Sequence, residues 1–295
     1  MTDKSTILNV KKTINAGGKL IDLSKARVMG ILNLTPDSFY AGSRISSTDQ
    51  ALQTTEQMLA DGATFIDIGS YSSRPGAQDI SAGEEAQRLI PVVKALSKEF
   101  PSAIISVDTF RAEIAKAAIN EGAHIINDIS GGELDPQMFK TVADLNVPYI
   151  LMHMKGSPQT MKDLTHYEDI LKEVLNYLSV RIQRLNDSGL KDVIIDPGFG
   201  FAKTIEQNFE LLNQLELFKI TGLPVLAGLS RKSMIWKTLD IKSEHALNGT
   251  TVLNTIALTK GANILRVHDV REAVEAVRLV EMMGDQGLEI GGLVD

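Results

Sequence analysis

The stretch VIIDPGFGFAKT, from Val193 to Thr204, puts a carboxylate directly after three apolar residues and directly before Pro-Gly. A proline at the next position biases Asp196 towards extended backbone and away from a helix-capping role, so its carboxylate is free to face a ligand. The same arrangement recurs along the chain. Short apolar runs end in Asn33, in Asp108, in Asn127 and Asp128, in Ser230-Arg231-Lys232, and in Arg266 and His268. Two carboxylates and an asparagine suit a flat heterocycle with adjacent N–H donors. A 2-amino-4-oxo-pyrimidine edge offers an exocyclic amine beside a ring N–H, and one carboxylate can accept both, as it does from the fork of an arginine. Lys232 can donate to the 4-oxo oxygen or to a ring nitrogen, and Arg266 can stack on the ring face. Purines and cytosines share parts of this pattern.

A second set of residues suits an anion. SSRPGA (72–77) places Arg74 in a loop, and His268 and Asn33 end the last and first apolar runs. Arginine, histidine and an amide around one opening suit a phosphate or diphosphate. Mg²⁺ keeps several waters and uses few protein ligands beside substrate phosphates, so the amide oxygen of Asn33 can suffice as its protein ligand. Plainer readings compete. Taken alone, Arg74 is a solvated loop charge and Asn33 a turn residue. For Asp67, Asp128 and Asp269, helix capping or turn closure is the better reading. Lys232 also fits a Schiff-base lysine, although such lysines sit in apolar surroundings and Arg231 precedes this one.

These residues need elements to hold them. Eight apolar, β-branched runs span 28–35, 64–70, 103–109, 124–130, 148–154, 192–198, 224–230 and 263–269. They are too apolar for half-exposed strands and too short for most helices, which is how strands buried on both faces read. Helix-period stripes lie between them: Leu171, Val174, Leu175, Leu178, Ile182 and Leu185; Gly249, Val252, Leu253, Ile256 and Ala257; Val270, Ala273, Val274 and Val277. DGATFID, EGAHIIND and KGANILR each put Gly-Ala between a helix end and a strand. Eight alternating units predict an α/β fold, a (β/α)₈ TIM barrel whose polar strand ends converge on one mouth. The rival is an open doubly wound sheet, in which polar residues cluster at one switch point instead of closing nearly every strand. Residues 7–23 alternate around Ala-Gly-Gly and predict a β-hairpin that closes the barrel floor. No linker or composition shift interrupts the 295 residues, which predicts a single domain.

Composition narrows the function. Hydrophobic residues make up 43%, enough for a large core. The net charge of −7, with basic residues scattered, argues against nucleic acid as partner. No cysteine is present, which excludes disulfides, cysteine zinc sites and thiol nucleophiles. No run reaches the roughly 18 apolar residues of a membrane span, and residues 1–20 lack a secretory apolar core. The expectation is a cytoplasmic protein with no membrane partner.

Seven motifs in order, MGILNLTPDSF (29–39), SVDTF (106–110), HIINDISGG (124–132), LMHMKGSPQTM (151–161), DPGFGF (196–201), LSRKSM (229–234) and RVHDV (266–270), closely resemble the dihydropteroate synthases of bacterial folate biosynthesis. The resemblance runs from about Val28 to about Val277. It implies a (β/α)₈ barrel, typically homodimeric through late helices. The implied enzyme joins 6-hydroxymethyl-7,8-dihydropterin diphosphate to para-aminobenzoate with Mg²⁺, by a dissociative, SN1-like route. Residues matching the pterin site are Asp108, Asn127, Met152, Asp196, Lys232 and Arg266. Asn33, Arg74, Arg266 and His268 match the diphosphate and metal site. Ser73, Arg74, Pro75, Phe201 and Ser233 match the aminobenzoate pocket, where sulfonamides also bind. Asp108, Asp196, Lys232 and Arg74 carry the chemistry in this reading. The chain departs from the family in two loops. Ser70-Tyr71-Ser72-Ser73-Arg74-Pro75-Gly76 stands where Gly-Glu-Ser-Thr-Arg-Pro-Gly is common, and Tyr40-Ala41-Gly42-Ser43 where Ser-Asp-Gly-Gly is usual. Ser73 keeps a hydroxyl in place of threonine. The alternatives are a methyltetrahydrofolate methyltransferase, which needs no diphosphate subsite, and a pterin-binding protein without catalysis.

Overall fold

The structure is a computed structural model that describes residues 10–34, 47–71 and 79–284. All eight apolar runs contain strands: β3 (Arg27–Asn33), β4 (Phe65–Gly69), β5 (Ile104–Asp108), β6 (Ile125–Asp128), β7 (Tyr149–Met152), β8 (Val193–Asp196), β9 (Leu226–Ala227) and β10 (Ile264–Val267). They pair in parallel in the order β8-β7-β6-β5-β4-β3-β10-β9. A parallel bridge between Ile195 and Val225 joins β8 to β9 and closes the ring. The sheet is therefore a barrel and not an open doubly wound sheet. The helices that follow the strands are α1 (Ser47–Ala60), α2 (Ala82–Glu99), α3 (Ala112–Asn120), α4 (Met138–Leu145), α5 (Ile170–Asp187), α6 (Ile205–Asn213), α7 (Ser233–Trp236), α8 (Leu247–Thr259) and α9 (Val270–Gly284).

Two apolar clusters show how the barrel is filled. Inside, each strand contributes one side chain to a floor layer: Met29, Phe65, Ile104, Ile125, Ile150, Ile194, Leu226 and Ile264. Ile14, Ala16 and Leu23 pack against this layer. They come from the predicted hairpin, β1 (Thr13–Ala16) and β2 (Lys19–Asp22), which pairs antiparallel. Outside, Val28, Ile66, Ile68, Val107, Ile126, Leu151 and Ile195 face the helices. Burial of one such aliphatic side chain contributes about 1.5–3 kcal/mol, so the two-sided apolar strands are accounted for by packing alone.

The Gly-Ala repeat occupies equivalent positions. Gly62, Gly122 and Gly261 follow helices α1, α3 and α8, with φ of 101°, 105° and 92°. This is the left-handed stop that glycine favours after a helix. The stripe predicted on α8 is rotated from the observed one. Gly249, Leu253 and Ala257 are buried, whereas Val252 is 49% exposed. Val252 lies three residues from Gly249 but on the side that α8 turns outward.

Candidate active site

Side chains alternate along a strand, so the residues two and four beyond the floor layer also point into the barrel. Counting up from the floor gives Ile31 and Asn33, Asp67 and Gly69, Ser106 and Asp108, Asn127 and Ile129, Met152 and Met154, Asp196, Gly228 and Ser230, and Arg266 and His268. Above the floor the interior turns polar, at the carboxyl ends of the strands.

Asp67 lies at the centre of this polar layer, fully buried. Its Oδ2 accepts from Arg266 Nε at 2.6 Å and from Asn127 Nδ2 at 2.9 Å. Arg266 Nη2 also donates to Asp108 Oδ2 at 2.8 Å. The guanidinium is thus held between two carboxylates. Burial alone would lower the Arg266 pKa, but Asp67 and Asp108 outweigh it and secure the positive charge. Burial pushes Asp108 up to about 7 against the pull of Arg266, and the like charges of Asp67, Glu85 and Asp128 push the same way.

Across the mouth, Asp196 pairs in register with Met152, and its Oδ1 accepts from Gly198 N at 2.7 Å. Burial raises the Asp196 pKa, and the charge of Lys232 opposes this. Burial lowers Lys232 to about 8, with Asp196 resisting. The Lys232 ammonium donates to Phe199 O and stands 4.5 Å from the centre of the Phe201 ring. Phe201 in turn packs with Ile129, Met152, Met154, Met161 and Ala202 as an apolar wall. Ser233 follows Lys232 as the first residue of α7. Arg231 turns away from Lys232 and grips Asp269 with two bonds of 2.9 and 2.7 Å.

The anion side is less complete. Asn33 ends β3, half-buried, in register with Gly69, which is itself in register with Asp108. Its carboxamide has no hydrogen-bond partner among the described residues. His268 Nδ1 lies 2.9 Å from Ser230 Oγ, and the same oxygen accepts from His268 N at 3.1 Å. Ser73, Arg74 and Pro75 lie outside the described residues, as do Tyr40 and Ala41. Tyr71 is described. Its ring meets Phe110 edge-on at 5.0 Å, and its hydroxyl accepts from Gln159 Nε2 at 2.7 Å.

The structure therefore gathers Asp108, Asn127, Met152, Asp196, Lys232 and Arg266 at one mouth. Among the residues given a capping role, Asp128 keeps it. Its carboxylate accepts from Ser130 N, Gly132 N and the Tyr149 hydroxyl, and it faces away from the barrel interior. Asp269 holds Arg231. Asp67, expected from the sequence to cap a helix or close a turn, does neither, because its carboxylate is taken by Arg266 and Asn127 inside the barrel. It occupies the same inward parity as Ser106, with which it is in register.

Among the described residues no group of three His, Cys, Asp or Glu side chains could hold a metal ion, so a cation here would draw most of its ligands from water and substrate. The amide oxygen of Asn33 is a hard donor that suits Mg²⁺ on those terms.

A family profile for pterin binding enzymes matches residues 29–268. The dihydropteroate synthase of Escherichia coli (strain K12) is 44% identical over 268 residues, which span 90% of this chain and 94% of that protein. The Xanthomonas albilineans dihydropteroate synthase solved with 4-aminobenzoic acid superposes with a TM-score of 0.87 at 37% identity, covering 93% of this chain and 99% of the other. The Yersinia pestis dihydropteroate synthase solved with a sulfonamide drug complex gives 0.87 at 40% identity, covering 92% and 99%. A closed barrel, a polar mouth and relatives that run nearly its whole length together place the chain in the pterin-binding enzyme family, as a transferase of the dihydropteroate synthase type.

Proposed function

We propose that the barrel mouth binds 6-hydroxymethyl-7,8-dihydropterin diphosphate and para-aminobenzoate and joins them to 7,8-dihydropteroate, releasing diphosphate. The observation that carries this reading is the linked set Asp108–Arg266–Asp67–Asn127, facing Asp196 and Lys232. A carboxylate and an amide fixed by their neighbours are preorganised acceptors and donors for the flat edge of a pterin. The Arg266 guanidinium is pinned at its edges, which leaves its face available to stack on the ring. Met152 contributes apolar contact.

The bond that breaks is C–O to diphosphate, and its electron pair leaves with the diphosphate. The carbon left behind is conjugated to the electron-rich dihydropterin, so positive charge spreads into the ring. Asp108 and Asp196 stabilise that charge as fixed negative groups shielded from water. The arylamine attacks as the neutral amine, and the proton it then sheds passes to diphosphate or water. Arg74, His268 and Arg266 hold the diphosphate. Asn33 would hold Mg²⁺, which when bound neutralises part of the leaving-group charge. Ser73, Arg74, Pro75, Phe201 and Ser233 form the aminobenzoate subsite.

The same proposal takes the chain as one barrel domain working in the cytoplasm. Among the described residues no helix is long and apolar enough to cross a membrane. It also takes the chain as a homodimer. On α9, Leu279, Met282 and Met283 are 70%, 60% and 61% exposed and lie on one face at helical spacing. Exposed Val252 lies on neighbouring α8.

Calorimetric titration of pterin diphosphate into the Asp196→Asn chain tests the pterin assignment. Loss of one charge-assisted bond weakens binding by about 1–3 kcal/mol, and an unchanged affinity would refute the role of Asp196.

A further inference from the structure

Lys203 is a buried amine that the reaction above does not use, and burial pulls its pKa well below the usual lysine range against the attraction of Asp196. Its side chain follows the turn after β8 and is 9% exposed. No carboxylate forms an ion pair with it among the described residues. Instead its Nζ makes three hydrogen bonds, with His153 Nδ1 at 2.9 Å, Gly198 O at 2.9 Å and Phe201 O at 3.0 Å. These three bonds use the whole bonding capacity of Nζ. For Nδ1 to accept, His153 must be neutral. Burial, together with the charge of Lys203, holds its pKa down at about 2.

The turn held in this way is strained. Gly198, Gly200 and Ala202 have φ of 72°, 79° and 50°. Ala202 carries a side chain in the left-handed region, a conformation that persists only where the surroundings enforce it. A Cβ on Gly198 would stand 2.0 Å from His153 O, so the turn is pressed against the end of β7. Further bonds close around it, from Tyr167 Oη to Ala202 O at 3.0 Å and from Gly200 N to Asn208 Oδ1 at 2.6 Å. The turn carries two groups of the candidate site, the Phe201 ring and the Phe199 carbonyl that receives Lys232.

We propose that Lys203 is the positioning residue of the aminobenzoate subsite: its Nζ ties two carbonyls of the Gly198–Ala202 turn to His153 on the β7 side and so fixes the Phe201 ring at the mouth. A buried amine bonded to two carbonyls and an imidazole makes a rigid tripod, and an apolar residue of the same length could not hold the turn. The inference rests on the reading that Phe201 lines that subsite.

Steady-state kinetics of the full chain test it, with pterin binding measured separately by calorimetry. Lys203→Met should raise the KM for para-aminobenzoate by about tenfold or more, while the Kd of the pterin changes far less. Phe201→Ala should raise the same KM. In the double variant the two losses should not add, because both act through one ring. If Phe201→Ala leaves the aminobenzoate KM unchanged, the subsite reading is what fails. If Phe201→Ala raises it and Lys203→Met does not, or if the two effects add in full, the positioning role of Lys203 is overturned. Should Lys203→Met lose its melting transition, His153→Leu, which removes one of the three acceptors, decides in its place. A raised aminobenzoate KM then supports the proposal, and an unchanged one sinks it.

Discussion

Asp108 is ionised only at a higher pH than an aspartate on the surface, and this sets a pH dependence for binding. Burial raises its pKa from 3.8 to about 7. The folded chain thus binds this proton more tightly than the unfolded chain does. The group's contribution to stability is full below its ordinary value and is lost as pH rises through about 7. Stability and chemistry pull in opposite directions, since a carboxylate that stabilises a cation must be ionised. Lys232, lowered to about 8, loses its charge above that pH. The free-enzyme profile of kcat/KM for pterin diphosphate should therefore be a narrow bell, falling below pH about 7 and above about 8. A profile that is flat across both values would contradict these roles. The same scale shows what residue types hide. Asp196, Asp108 and Asn127 were legible because each lies at or next to the carboxyl end of its strand. Asp67 sits mid-strand, and one side chain seldom announces a buried ion pair. The signal that finds it is parity: Phe65, Asp67 and Gly69 step up the barrel as Ile104, Ser106 and Asp108 do.

The elements were the most legible part of the sequence, because a strand buried on both faces reads as a short, mostly apolar run and eight such runs leave few alternatives to a closed barrel. The hairpin was legible for a related reason. Its Ala-Gly-Gly turn separates two short alternating segments, and the inward set, Ile14, Ala16 and Leu23, completes the floor. Ile14→Ala should accordingly destabilise the chain by about 2–5 kcal/mol in urea melts and leave the KM values nearly unchanged, because the floor lies below the polar layer. A stability change under about 1 kcal/mol would mean that the hairpin lies on the barrel without plugging it. The helix faces were less legible. The spacing of Val252 marks it as apolar and helical, yet spacing alone does not say which of two adjacent apolar faces meets the barrel. Loop geometry was least legible, since Tyr71 finds partners in Phe110 and Gln159 that are remote in sequence.

At the scale of the whole molecule, the exposed stripe of Leu279, Met282 and Met283 on α9 is what a second copy would cover. The native chain should sediment at about twice its 32.1 kDa mass, and Leu279→Glu should shift it towards the monomer. A native chain that sediments as a monomer at micromolar concentration would remove the dimer from the account. The central claim is different and does not depend on assembly: eight strand ends bring carboxylates, an amide and cations to one mouth, where an arylamine takes the place of diphosphate on a pterin. The most direct measurement is to incubate the purified chain with Mg²⁺, 6-hydroxymethyl-7,8-dihydropterin diphosphate and para-aminobenzoate, and to follow dihydropteroate and diphosphate together. The two products should appear in equal amounts, and neither should form without para-aminobenzoate. Diphosphate release without dihydropteroate, or no release at all from a chain that binds both substrates, would contradict the account.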